Sequence, residues 1–120
     1  MSQYIDGFVL TIAKEKLAAY KKLAAKTAKI WKEHGALEYR ECVGDDMEAK
    51  NMLPFPKLTK AKSDEVVVFT YVVYASKKAR DTANENIMND PRMAAMCEAS
   101  GTIMDCKRMA YGGFKTIVHL

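Results

Sequence analysis

Two histidines, three cysteines, one tryptophan and a handful of arginines are the residues of this chain whose types could do chemistry. His34 is the candidate catalytic group, because histidine is the side chain whose ordinary pKa lies near neutrality and which therefore serves as a base or proton shuttle. It follows Trp31 at the end of a helical pattern and precedes Glu38 and Arg40. The same position also suits a histidine that only caps a helix, its cation favoured by the C-terminal dipole. Trp31, with Tyr20, Phe69 and Tyr71, offers the walls of a flat apolar cavity for an aromatic ring, although aromatics at this spacing also describe a plain core. Arg40 and Arg108 bring guanidinium groups that bind a carboxylate in two places at once; Glu38, Glu41 and Asp105 are the competing partners. The expected ligand-binding set is Trp31, His34, Tyr71, Arg40 and Arg108, with a small aromatic or anionic molecule as the ligand. His119 lies one residue from the end of the chain and carries little weight.

Other chemistries lack their residues. Asp45, Asp46 and Glu48 bunch together without the spacing or glycine of a calcium loop, and the histidines have no partner at metal-site spacing, so neither a metal nor a cofactor is expected. No phosphate-cradling glycine loop, GxSxG elbow or Cys-His motif is present. Cys42, Cys97 and Cys106 form an odd set without CxxC spacing, which fits buried or half-buried thiols in a reducing compartment rather than a disulfide framework. A net charge of +4 is mild. Lysines 14, 21, 22, 26, 29 and 32 could track a phosphate backbone, but without interleaved aromatics they read as the wet side of a helix, and nucleic-acid binding is not expected. Nothing approaches a membrane-spanning apolar run, and MSQYIDGFVLTIAKEK lacks the pattern of a signal peptide, so a cytoplasmic location is expected.

The elements that must position these residues follow from periodicity. Tyr4 to Ile12 alternates and is rich in β-branched and aromatic residues, a first strand. Lys14 to His34 has helical period, with Leu17, Tyr20, Leu23, Ala24, Thr27, Ile30, Trp31 and His34 on one arc, and Gly35 ends it. Ala36 to Val43 reads as a second strand of mixed polarity. Gly44 to Asp64, with Pro54 and Pro56, has no period and reads as a long connection of the kind that covers binding sites. Glu65 to Tyr74 (EVVVFTYVVY) is apolar on both faces, hence central in the sheet. Ser76 caps a second helix reaching Met88, Asn89-Asp90-Pro91 stops it and starts a short helix carrying Met93, Ala94, Met96 and Cys97, and a last strand runs from about Lys107 to Leu120. Gly112-Gly113 inside that strand marks a bulge or a close backbone approach.

This order, β-α-β-β-α-β over a single 1–120 domain, closes into an α+β ferredoxin-like sandwich with a four-stranded antiparallel sheet. Because the third strand is apolar on both faces, the side of the sheet away from the helices needs a cover, and a second subunit is the simplest one.

The segments YIDGFVL, WKEHGALEYREC, VVFTYVVYASKKARD, NDPRMAAM and KRMAYGGF resemble, in the same order from about Tyr4 to Val118, the YbaA-like family of small bacterial proteins. That family is similar to the dimeric α/β-barrel superfamily, whose subunits set two ferredoxin-like sheets face to face. The resemblance implies the fold and a homodimer, and it implies no catalytic residue. Superfamily relatives include oxygenases without metal cofactors, haem-degrading enzymes and proteins that only bind ligands, so fold alone leaves activity open. Three functions are compatible with the residues. One is a small-molecule binder with its pocket between the first helix and the sheet, under the Gly44–Asp64 loop. The others are a cofactor-free oxygenase or isomerase with His34 as base, and a structural or stress-related interaction protein without a ligand.

Overall fold

β-Branched and aromatic alternation draws Tyr4–Ala13 into strand β1 and Glu65–Tyr74 into strand β3, and these two lie antiparallel over their full length, Tyr4 opposite Tyr74 and Ala13 opposite Glu65. The computed structural model describes residues 2–120. Strand β2, Glu38–Val43, pairs with β3, and strand β4, Ala110–Lys115, pairs with β1, giving the order β2-β3-β1-β4. Every pair is antiparallel.

A single 3₁₀ turn, Lys14–Lys16, leads into helix α1, Leu17–Glu33, which ends at His34 and at Gly35 with φ of 115°. The long connection after β2 is not structureless: Phe55–Thr59 forms a short helix α2, initiated by Pro54 and Pro56 at its start. Helix α3, Lys77–Met88, starts where Ser76 accepts a hydrogen bond from the Ala79 N–H at 3.1 Å. Helix α4 spans Met93–Gly101, two residues later than a start at Pro91 would have it. Asp90 still serves the turn, accepting from the Arg92 N–H at 2.9 Å. The last strand is shorter than the alternation suggested, because β4 finds its partner only along Tyr4–Val9. No bulge occurs at Gly112-Gly113; pairing runs on through Gly7–Gly112 and Asp6–Gly113. The glycines mark a close approach instead, since a Cβ on Gly113 would fall 2.6 Å from the Tyr4 hydroxyl.

All helices packed on the core lie on one side of the sheet. Ile30, Ala36, Val72, Tyr74, Ala83 and Ile87 form one buried cluster, and Leu10, Ile12, Tyr20, Ala24 and Val68 a second. The even residues of β1 and β3 supply both, as period-two alternation requires. Each fully buried Ile or Val contributes about 1.5–3 kcal/mol. The odd residues face away from the helices, and there Phe69 and Phe114 remain 45% and 60% exposed beside half-buried Ile5, Val9 and Tyr71. No helix among the described residues is long and apolar enough to cross a membrane. All three cysteines are exposed, contrary to the expectation of buried thiols.

Candidate functional site

Strand β2 brings a carboxylate into the apolar phase of its alternation. Tyr39, Glu41 and Val43 occupy the side that faces α1, opposite Val72, Thr70 and Val68 of β3. Glu41 is half-buried there, and three hydroxyls converge on it. Tyr20 of α1 donates to Oε1 at 2.6 Å, Thr70 donates to the same oxygen, and Tyr39 donates to Oε2 at 2.6 Å. Burial, reinforced by the neighbouring carboxylate, pushes the Tyr20 and Tyr39 hydroxyls far above their ordinary value of 10.0, so both stay protonated and act as donors. With one acceptor position on Oε2 still open, Glu41 can take a further hydrogen bond from a guest.

Glu41 lies on the wall of a cavity of about 230 Å³ between α1, α4 and the sheet. Its other walls are mostly apolar, with Phe8 and Leu10 from β1, Leu23 and Trp31 from α1, and Met93 and Met96 from α4, while Thr27 and Ser100 add hydroxyls. Trp31 meets Tyr39 edge-on, with ring centroids 6.3 Å apart. On the far side of Tyr20, Tyr39 and Glu41, a second hollow of about 440 Å³ opens between α1 and the β2 edge, beside Lys21, Cys42 and Val43. These three and Ala24 therefore form a partition shared by the two spaces. The loop 44–64 lines neither cavity; the inner one is closed by α4 and the segment 104–109, because α4 is the element packed beside α1 there.

Of the expected ligand-binding set, the structure brings only Trp31 to this cavity, together with Tyr20 from the expected aromatic walls. His34 sits at the C-terminal end of α1 with Nε2 2.8 Å from Asp90 Oδ2. Asp90 is held further by Arg92, whose guanidinium also reaches Glu33 at 2.6 Å. Arg92 first and His34 second keep the Asp90 carboxyl well below the ordinary carboxylate range. This network ties α1 to the α3–α4 turn, and His34 does not line the cavity. Arg40 and Tyr71 stand on the opposite face of the sheet. Arg40 pairs with Glu38 at 2.9 Å and lies 5.8 Å from the Tyr71 ring centre, while the Tyr71 hydroxyl donates to Glu38 at 3.0 Å. Arg108 grips Glu65 through both terminal nitrogens and donates to the Lys60 carbonyl. Tyr20, expected as a cavity wall, does line the cavity, whereas Glu41, Tyr39 and Thr70 escape a reading of the sequence as a site. The available signal is a glutamate in phase with Tyr39 and Val43 on the inward side of a strand.

Compared with known proteins, residues 3–105 match the model of a protein family described as of unknown function, DUF1428. The chain is 42% identical over 116 residues to YbaA of Escherichia coli K12, described as uncharacterised, covering 97% of each chain; YbaA of Shigella flexneri matches to the same extent. Among solved structures, a dimeric ferredoxin-like protein from an uncultured marine organism superposes over the whole of both chains with TM-score 0.65 at 11% identity. SnoaB, a cofactor-independent oxygenase from Streptomyces nogalater, covers 100% of this chain and 98% of its own with TM-score 0.61 at 12% identity. At such identities the likeness is one of fold, and that fold is the ferredoxin-like one of dimeric α/β-barrel structures.

Proposed function

The chain belongs to the DUF1428 family, and from that premise we propose that it is a homodimer, joined through the open faces of two sheets, that binds a small ring-containing molecule in the cavity between α1, α4 and the sheet. The observation that carries the reading is Glu41, a carboxylate with three hydroxyl donors set in a mostly apolar wall. Such a wall suits a neutral, flat guest whose single hydroxyl or N–H donates to Oε2 while its ring packs against Trp31. An anionic guest is disfavoured by the same carboxylate, and Arg40 and Arg108, the expected anion handles, are engaged elsewhere. A solid core beside Trp31 would have favoured a protein that only presents surfaces. The dimer half of the reading is supported by the apolar open face and by the dimeric relative of the same fold.

Trp31 is the one tryptophan of the chain, so its emission reports occupancy directly. Titration with phenol, 2-naphthol and indole is expected to shift or quench that emission saturably. Glu41→Gln is expected to weaken binding about tenfold, the scale of losing a hydrogen bond to a charged group, with far-UV circular dichroism unchanged. No response to any of the three probes up to millimolar concentration, or equal affinity in the variant, would overturn the reading.

Turnover of the bound ring is a second reading, and the position of Glu41 favours it over His34 as base, since Glu41 lies on the cavity wall and His34 does not. If Glu41 exchanges protons with a guest, carbon-bound deuterium should appear in a bound cyclic 1,3-diketone in D₂O, and Glu41→Gln should abolish it. Absence of exchange in a saturated complex removes this reading and leaves binding intact.

A further inference from the structure

Six residues around the inner cavity carry sulfur: Met93, Met96, Cys97, Met104, Cys106 and Met109. They are four of the eight methionines and two of the three cysteines of the chain, gathered onto one cavity from a short stretch of sequence. Two elements deliver them. Met93, Met96 and Cys97 stand at i, i+3 and i+4 on α4, the spacing that puts side chains on one helix face with Cβ atoms about 5–6 Å apart. Met104, Cys106 and Met109 come from the segment that returns from α4 to β4, around the 3₁₀ turn Cys106–Arg108.

Their exposure sorts them by role. Both thiols are exposed, and the four thioethers are half-buried. Met93 and Met96 pack on one core cluster and Met104 and Met109 on the other, so the thioethers are held by the fold from two sides. An apolar wall needs no such concentration of sulfur; leucine fills space with better-defined rotamers. Glu41 is the one carboxylate on this cavity, and no group of three or more His, Cys, Asp and Glu converges to hold an ion among the described residues. The expectation of no metal rested on the spacing of histidines and carboxylates, a test that thioethers do not enter.

We propose that this sulfur-lined cavity binds a soft monovalent cation of the Cu(I) class, with Cys97 and Cys106 as thiolates and one or two of the four methionine thioethers completing a shell of at most four donors. Thiolate and thioether ligands together select Cu(I) over hard or borderline ions. Binding displaces one proton from each thiol, so one Cu(I) and two thiols give a dithiolate complex of charge −1 and two released protons. Lys107 sits in the turn that carries Cys106, where its positive charge offsets that product charge. The proposal concerns a different occupant from the ring-binding reading and does not depend on it.

The test is anaerobic competition of the reduced protein against the coloured bicinchoninate complex of Cu(I), with Ag(I) as a redox-inert probe followed by native mass spectrometry. The expected result is one Cu(I) or Ag(I) per chain. The double variant Cys97→Ser, Cys106→Ser should lose it, and Cys42→Ser should retain it. Replacing Met93, Met96, Met104 and Met109 by Leu keeps volume and apolarity while removing donors, and should weaken Cu(I) binding at least tenfold. If that variant fails to fold by circular dichroism, Met96→Leu alone takes its place, with a smaller loss expected. Failure of the wild-type protein to withdraw copper, retention by the double serine variant, or unchanged affinity after the methionine replacement each overturns the proposal. Because phenol binding is read separately at Trp31, a response there without copper binding sinks only this inference, and the reverse sinks only the ring-binding one.

Discussion

Arg108 holds Glu65 with both ends of its guanidinium, Nη1 to Oε2 at 2.8 Å and Nη2 to Oε1 at 2.9 Å. That grip, helped by the Lys62 N–H, draws the Glu65 carboxyl from its ordinary 4.5 down to about 2. A depressed carboxylate means that the unfolded chain binds the proton more readily, so the pair's contribution is complete above about pH 4.5 and is lost as pH falls toward 2. Arg108→Met should therefore lower the urea midpoint at pH 6 and narrow its gap from the wild type at pH 2.5. Equal spacing of the two midpoints at both pH values would exclude this role. The same residue explains a limit of the sequence. Guanidinium groups are visible as candidates for anion binding, but only coordinates decide whether a carboxylate already occupies them.

At the scale of elements, two local devices fix where helices begin and end. Ser76 caps α3 through the Ala79 N–H, and Ser76→Ala should cost about 1 kcal/mol in equilibrium urea unfolding. Gly35 closes α1 at φ of 115° with nothing near its missing side chain, so Gly35→Ala should cost about 1–2 kcal/mol through backbone conformation alone. Both devices were legible in the sequence, because capping and chain reversal depend on residues adjacent in the chain. The start of α4 was less so. Asp90 accepts from the Arg92 N–H at that turn and also shares its carboxylate between the Arg92 guanidinium and His34, which turns a local signal into a tertiary tie. Helix α2 was hidden in the 44–64 connection because five residues give no period to read.

For the whole molecule, the decisive fact is that one layer of helices covers one side of a sheet that is apolar on both. The body measures 38 × 37 × 20 Å with a radius of gyration of 15.1 Å, above the ~13.6 Å of a compact chain this long. It is a slab lacking its second layer. A second slab across Phe69, Tyr71 and Phe114 would supply that layer. Light scattering after size exclusion should give twice the 13.5 kDa of one chain, and Phe69→Glu should give 13.5 kDa with unchanged circular dichroism. A wild-type monomer at micromolar concentration would remove the dimer from the proposed function.

By itself the sequence determined the order of the elements, the central place of EVVVFTYVVY and the need for a cover, because alternation, helical period and turn residues act between neighbours in the chain. It also marked Trp31 and Tyr20 as cavity residues. The tertiary structure alone decided the rest of the site: it turned Glu41 inward beneath Tyr20, Tyr39 and Thr70, drew His34 to Asp90, and set Arg40 and Tyr71 on the other face of the sheet. Those outcomes depend on which residues of different strands and helices meet. In a strand, moreover, the parity of a single position decides the side of the sheet on which a side chain does its work.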